Sequence, residues 1–460
     1  MKPYAEDTIA AIATPLGVGG VGIVRLSGKD AVRVGDALFK AGSGASLARA
    51  RSHLLLHGWI EQSGQPLDEA LAVVMRAPHS YTREDVVELH CHGGTLVLGT
   101  VLELALQGGA RLAQPGEFTL RAFLNGRLDL TQVEAVADVV RARSRLGLQV
   151  SANQLRGRLH DRIQALREDV AHVAALVAAG IDFPEEDVVF AHGQEIRERL
   201  ERALEAVTEL LHTAAQGRVL REGLAVAIVG KPNVGKSSLL NALLRESRAI
   251  VTDIPGTTRD TLEEATELGG LALRLIDTAG IRQTAEPVEQ AGIARSRRAI
   301  AQADLVLLVL DGAGPWEAED AAVLAEAPPA ATLAVLNKAD RMPAQAPAWA
   351  ARLAGLPQVR ISALTGAGLP DLEAWIRRWA LKEERPQVES ALITNLRQQQ
   401  AAQGAQAALQ AARRTLEEGR GEELLAVDLS RALDALGDIV GETTADDLLQ
   451  RIFAEFCIGK

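Results

Sequence analysis

The stretch "GKPNVGKS", Gly230 to Ser237, carries the plainest chemistry in the chain. It fits G-x-x-x-x-G-K-[ST], a spacing at which glycines let backbone N–H groups turn inward around phosphate oxygens. Lys236 adds positive charge at the β- and γ-phosphates, and Ser237 offers a hydroxyl to Mg²⁺. The apolar "GLAVAIVG" before it reads as a strand and "SLLNALL" after it as a helix, the setting such a loop requires. Further on, "LRLIDTAG" ends a strand in Asp277, suited to hold the water shell of Mg²⁺, with Gly280 free to meet a γ-phosphate. "LAVLNKAD" ends another strand in Asn337, Lys338, Ala339 and Asp340. Asp340 can accept two hydrogen bonds from a guanine edge, which adenine cannot match, and losing such bonds rejects the wrong base strongly. Ser362 and Ala363 of "ISALTG" suit the last base-contacting loop. These elements, in this order, imply a GTPase.

Two details separate this site from a Ras-like switch. In Ras a glutamine directly after the DTAG glycine orients the attacking water, whereas here that position is Ile281, which neither donates nor accepts a hydrogen bond. Another group must align the water. Glu289 in "AEPVEQAG" is the candidate, with a plain surface glutamate as the alternative. The second detail is Asn233 in the phosphate loop together with "TDIPGTTRD", whose Thr258 is placed to complete the Mg²⁺ shell. Backbone carbonyls of such a loop plus an asparagine oxygen make a nest for a monovalent cation near the phosphates. A cation there replaces an arginine finger, an effect worth about 10³ to 10⁵ in rate, or about 4–7 kcal/mol.

The elements that must position these residues fall into zones. Residues 1 to about 125 mix strand-like runs ("VGIVRLSG", "DEALAVVMRAP") with Gly-rich turns, reading as a compact α/β or α+β domain. From about Leu130 to Gln216 apolar residues recur at three- and four-residue steps, a helical pattern. Strands alternating with helices then run from 223 to about Lys382, after which the helical, Gln- and Ala-rich pattern returns. A helical zone interrupted and resumed suggests insertion of the middle domain into it. The length of 460 residues agrees with roughly three domains. Two cysteines, Cys91 and Cys457, exclude a disulfide framework and make a reducing compartment the default. Glu6 and Asp7 stand where a signal peptide would be apolar, and no apolar run approaches the roughly 18 residues of a membrane span, so a soluble, cytoplasmic protein is expected. A net charge of −11 confines any RNA contact to a local basic patch.

The phrases "GKPNVGKSSLLNAL", "VTDIPGTTRD", "DTAGIR", "NKAD", "IAAIATPLGVGGVGIVRLSG", "QPGEFTLRAFLNGRLDLTQVEAVADVV" and "FCIGK" together resemble the bacterial tRNA-modification GTPase family MnmE, also called TrmE, over essentially the whole chain. The GTPase phrases are shared with ribosome-assembly relatives; the N-terminal phrases and the tail are specific. The resemblance implies a multidomain α/β plus α fold. Its expected parts are an N-terminal α+β folate-binding and dimerisation domain (1–125), a helical domain from two segments (126–222 and 383–460), and an inserted P-loop, Ras-like GTPase domain (223–382).

It also implies a function. With a flavoprotein partner, MnmG (GidA), in a heterotetramer, the family modifies C5 of the tRNA wobble uridine with an aminomethyl or carboxymethylaminomethyl group. The carbon comes from a tetrahydrofolate derivative, 5-formyl or 5,10-methylene. K⁺ drives GTPase-domain dimerisation within a homodimer. On that pattern Asn233, Thr252, Ile254 and Thr257 hold K⁺, Ser237 and Thr258 hold Mg²⁺, and Glu289 aligns the water. The fixed φ and missing N–H of Pro255 leave its carbonyl available. The nucleotide is bordered by Asn233, Val234, Gly235, Lys236, Ser237 and Ser238 and by Thr252, Asp253, Ile254, Pro255, Gly256, Thr257 and Thr258. Asp277, Thr278, Ala279 and Gly280, the quartet Asn337, Lys338, Ala339 and Asp340, and Ser362 with Ala363 complete it. Arg25, Glu88, Arg127 and the terminal Lys460 line the folate site, and the tail brings Cys457 near the one-carbon carrier, as nucleophile or acid.

Other stretches carry less. "HCHGG" puts His90 and His92 on one face of a strand without a second cluster to complete a tetrahedral zinc site. "IDFPEED" reads as a solvated acidic break between helices. The arginines of "RARSRLGLQVSANQLRGRLHDR" suit tRNA phosphates or ordinary helix-surface solvation equally. Two further functions share the motifs: a GTP-dependent ribosome-assembly factor, and a folate-dependent transferase in which GTP only regulates.

Overall fold

The structure is a computed structural model and describes residues 7–182, 192–246, 264–276, 297–343, 347–382, 390–442, 449, 452–454, 456 and 459. The N-terminal part is built on a seven-stranded sheet. Its strands are β1 (Ile9–Ile12), β2 (Gly19–Ser27), β3 (Phe39–Ala41), β4 (Leu55–Gln62), β5 (Gln65–Met75), β6 (Val86–Gly93) and β7 (Arg111–Leu112). They lie in the order β3-β4-β5-β6-β2-β1-β7. In β6, Val87, Leu89 and Cys91 alternate onto the buried face. There they meet α1 (Ala31–Leu38) and α2 (Thr95–Gln107) through Val34, Leu98 and Val101. The same period-two pleat turns Glu88 and His90 to the opposite face. Antiparallel pairing of β2 with β6 sets Arg25 directly across from Glu88. Burial pushes the Cys91 thiol up to about 12, so this cysteine behaves as a small apolar core residue.

After α3 (Glu117–Leu124) the chain becomes helical: α4 (Leu130–Arg141), α5 (Arg145–Leu155), α6 (Arg158–Asp182) and α7 (Gly193–Glu222). "DLTQ" starts α4 as a capping box, Asp129 accepting from the Gln132 N–H while the Gln132 side chain accepts from the Asp129 N–H. The acidic break "IDFPEED" spans residues 181–187; Ile181 and Asp182 end α6 and the rest lies outside the described residues.

The third unit is a six-stranded sheet in the order β13-β12-β11-β8-β10-β9. It begins with β8 (Leu224–Val229) and α8 (Lys236–Glu246), then the hairpin β9 (Glu264–Leu268) and β10 (Leu271–Ile276). It continues with β11 (Leu305–Asp311), α9 (Ala318–Glu326), β12 (Thr332–Asn337), β13 (Gln358–Arg360) and α10 (Leu369–Ala380). All neighbours are parallel except the edge pair β9 and β10. Strand β8 is buried on both faces, Leu224, Val226 and Ile228 facing one core and Ala225, Ala227 and Val229 the other. That is why "LAVAIV" is continuously apolar instead of alternating.

Beyond this sheet run α11 (Leu396–Glu417) and α12 (Glu422–Val440). They close a single apolar core with α6 and α7: Leu166 and Val173 share it with Leu200, Ala405, Leu409 and Leu429. The helical unit is therefore drawn from both sides of the inserted sheet. Gly217 of α7 permits close approach of the segment before α11, since a Cβ there would lie 2.0 Å from the Ile393 carbonyl oxygen. The tail then reaches the N-terminal part, where Leu449, Phe453 and Phe456 pack with Leu120, Leu128 and Val133.

Candidate active site

Two sites emerge from this framework. The first opens at the C-terminal ends of β8 and β12, where open parallel sheets bind ligands. Gly230 and Gly235 carry φ values of +149° and +100°. A Cβ at these positions would sit 2.3 Å from the Val309 carbonyl oxygen or 2.1 Å from Asn337 Nδ2, so the loop closes down to where only glycine fits. Lys236 Nζ donates to the carbonyl oxygens of Gly230 and Lys231, both at 2.7 Å. Burial pushes this ammonium below the ordinary lysine range. An anion in the loop would supply the countercharge that two carbonyls lack.

Asn337 is 1% exposed and joins three loops. Its Nδ2 donates to the Val234 carbonyl oxygen at 2.8 Å, and its Oδ1 accepts from the Ala363 N–H at 3.0 Å. Lys338 donates to the Asn233 carbonyl oxygen at 2.9 Å and to Asp311 Oδ2 at 2.7 Å. Asp340 Oδ1 accepts from Ser362 Oγ at 2.5 Å, and this hydrogen bond holds the carboxyl below its usual range. The result is an ionised, acceptor-only edge, oriented by one hydroxyl and open to a planar donor.

The second site lies on the outer face of the N-terminal sheet. Arg25 Nε donates to Glu88 Oε1 at 2.8 Å, and His90 Nε2 lies 3.2 Å from Glu88 Oε2. Burial opposes ionisation of Glu88, but His90 and Arg25 prevail and keep its pKa lowered. The guanidinium of Arg25 sits 5.6 Å from the Phe118 ring centre and 5.8 Å from that of Tyr81. Arg127 covers the Tyr81 ring at 4.7 Å. Arg25 Nη1 also donates to the Gly459 carbonyl oxygen at 3.1 Å, so the end of the chain meets a strand near its beginning.

Of the residues expected from sequence, the structure gathers Asn233, Val234, Gly235, Lys236, Asn337, Lys338, Asp340, Ser362 and Ala363 around the first opening. Ser237 and Ser238 stand in the first turn of α8, and Ala339 lies between Lys338 and Asp340. Arg25, Glu88 and Arg127 assemble at the second. Thr252, Asp253, Ile254, Pro255, Gly256, Thr257, Thr258, Asp277, Thr278, Ala279, Gly280, Glu289, Cys457 and Lys460 lie outside the described residues. His90 and His92 pair with different carboxylates, Glu88 and Asp68. Sequence reasoning missed Asp311, the partner of Lys338, and Tyr81, which joins Arg25 to Arg127. The first is signalled only by a strand ending in Asp. The second is one of two tyrosines in the chain.

Comparison with known proteins decides the family. The sequence model of the MnmE helical domain matches residues 130–457, and that of the GTP-binding protein TrmE N-terminus matches residues 8–127. The tRNA modification GTPase MnmE of Symbiobacterium thermophilum is 50% identical over 99% of this chain and 100% of its own length. The chain belongs to the tRNA modification GTPase MnmE family. The MnmE of Moorella thermoacetica is 49% identical, again over 99% of this chain and 100% of that one. Among solved structures, the G domain of the T. maritima FeoB iron transporter is 27% identical and covers 34% of this chain and 97% of that one. Its TM-score is 0.24. As an MnmE family member the chain is a GTP-binding GTP hydrolase that acts in tRNA modification. Among the described residues no helix is long and apolar enough to cross a membrane.

Proposed function

We propose that this chain is a K⁺-dependent GTPase that works with the flavoprotein MnmG, in a heterotetramer, to modify C5 of the tRNA wobble uridine. A tetrahydrofolate derivative provides the carbon of the aminomethyl or carboxymethylaminomethyl group, and dimerisation of GTPase domains drives hydrolysis. The domain limits are 1–125, 126–222, 223–382 and 383–460, in the cytoplasm. The observation that carries the reading is the return of the tail, Gly459 accepting from Arg25 at 3.1 Å beside the Arg25–Glu88 pair. A GTPase needs no such closure. A carrier site that draws on both chain ends does.

The residues present fit the groups this reading requires. Glu88, held ionised, can grip the amidine edge of a pterin, with Tyr81 and Phe118 as ring faces and Arg25, Arg127 and Lys460 as cations. Cys457 acts on the one-carbon carrier as nucleophile or acid. At the nucleotide, Gly230 and Gly235 let the phosphate loop close against Val309 and Asn337, where a Cβ would clash, and so keep its backbone shaped around phosphates. Ser237 with Thr258 would hold Mg²⁺, and Asn233, Thr252, Ile254 and Thr257 would hold K⁺; these are oxygen donors of the kind hard cations take. Held there, the two cations would supply neutralising charge to the transferring phosphoryl group. Lys236 steadies the phosphates, Asp340 and Asn337 select guanine, and Glu289 aligns water in place of the Ras glutamine.

The test is GTP hydrolysis in KCl against NaCl at equal ionic strength, with Mg²⁺ present and protein concentration varied. Activation by K⁺ that steepens with protein concentration is expected. Equal rates in both salts overturn the cation-driven dimerisation.

A further inference from the structure

On the Tyr81 side of the Arg25–Glu88 pair lies an open cleft of about 530 Å³, within the ~300–1,000 Å³ typical of small-ligand clefts. His53, His79, Tyr81, Arg83 and Arg127 supply its polar chemistry, and among the described residues no carboxylate lines it. The neighbouring acids are committed elsewhere. Glu84 accepts from Ser27 and Arg121, and Asp85 accepts from the Ala77 N–H and from Arg76. Among the described residues neither Arg83 nor Arg127 has a carboxylate partner. Arg83 is held at the rim by one bond, Nη1 donating to the Asn125 carbonyl oxygen at 2.9 Å. Arg127 lies over Tyr81. A cationic cleft without an acid cannot grip an amidine edge, so it does not duplicate Glu88. Its chemistry asks for anions.

We infer that this cleft holds the glutamate tail of the folate carrier and that Arg83, with Arg127, makes the enzyme prefer carriers bearing several γ-linked glutamates. The inference rests on the folate reading above. Tyr81 is the physical link, touching Arg25 on the carboxylate side and lining the cleft with Arg127. A carrier whose pterin faces Glu88 therefore extends along Tyr81 into the basic cleft, where each further glutamate adds a carboxylate. RNA is the competing polyanion, but it binds through broad basic faces that neutralise many phosphates. Two arginines in a cleft of this size suit a short flexible anion better.

The experiment measures calorimetric affinities of the full-length protein for 5-formyltetrahydrofolate with one glutamate and with three, at low and at moderate salt. The wild type is expected to bind the triglutamate at least about fivefold more tightly, the advantage shrinking with salt as exposed ion pairs are screened. Arg83→Gln brings the ratio of the two affinities close to one, and Arg83→Lys, which keeps the charge, retains most of it. Thermal melts of both variants verify that they fold. Equal wild-type affinity for the two carriers overturns the tail site while leaving the folate reading in place. Binding of neither carrier overturns both. A ratio unchanged in Arg83→Gln, accompanied by weaker tRNA binding, overturns the inference and assigns the cleft to RNA.

Discussion

Asn337 offers the sharpest test of how the nucleotide loops are held. Replacing it by alanine removes the donor to the Val234 carbonyl oxygen and the acceptor for the Ala363 N–H. Val234 is 1% exposed, so its carbonyl loses a partner that water does not readily replace, at a cost of about 1–3 kcal/mol. Ala363 is half-buried and its N–H can be hydrated, so its loss adds about 1 kcal/mol or less. The total, about 3 kcal/mol, bears on the one arrangement in which the phosphate loop, the NKAD turn and the Ser362 loop are mutually braced. In the free variant these loops relax toward water, and a guanine nucleotide must draw them back. The expected result is GDP affinity weakened by about 100-fold, since each 1.4 kcal/mol is tenfold, with the helical unit's melting unchanged. Asn337→Asp is a harsher variant. It still accepts from Ala363 but sets an oxygen against the Val234 carbonyl. Titration with a fluorescent GDP analogue reads the affinity, and circular dichroism reads folding. A folded Asn337→Ala protein that binds GDP within threefold of wild type would refute the bracing role.

Asp340→Asn should trade guanine for xanthine preference, because the amide donates where the carboxylate accepted; GTP binding should weaken by about 10² or more while XTP binding strengthens, measured by competition. Loss of both nucleotides, or of neither, would contradict the base-edge assignment. A different expectation concerns acid stability. Burial opposes ionisation of Glu117, but hydrogen bonds from Arg111, the Gln114 N–H and Arg121 lower its pKa below the reference 4.5. Its contribution is therefore complete above pH 4.5 and disappears as pH falls through the lower folded value. Glu117→Gln removes one of three carboxylates around the 4%-exposed Arg121 side chain, which keeps Asp7 and Glu84, so it costs about 1–3 kcal/mol at neutral pH and flattens the acid limb of the stability curve. Urea midpoints across that pH range check it, and an acid limb as steep as wild type would count against the network.

How much was legible in the sequence follows from how far apart the cooperating residues lie. The phosphate loop and the NKAD turn depend on backbone geometry within a few residues, so glycine spacing, a following helix and a preceding apolar strand were enough to place them. The interrupted helical pattern likewise announced an insertion, because amphipathic period reports which face is buried even when the partner helices are unknown. The links between motifs were not legible. Asn337 reaches Val234 across 103 positions, and no local pattern distinguishes its bracing amide from any other asparagine at a strand end. Arg25 meets Glu88 because β2 and β6 pair in one register; a shift of one residue would turn either side chain to the other face. Gly459 reaches Arg25 from 434 positions away. The motif chemistry was thus determined by the sequence alone, since it is written in contiguous backbone. The Arg25–Glu88 pair, the cleft beside Tyr81 and the bracing of the nucleotide loops were decided by tertiary structure, since sheet register and packing alone bring distant side chains within hydrogen-bond reach.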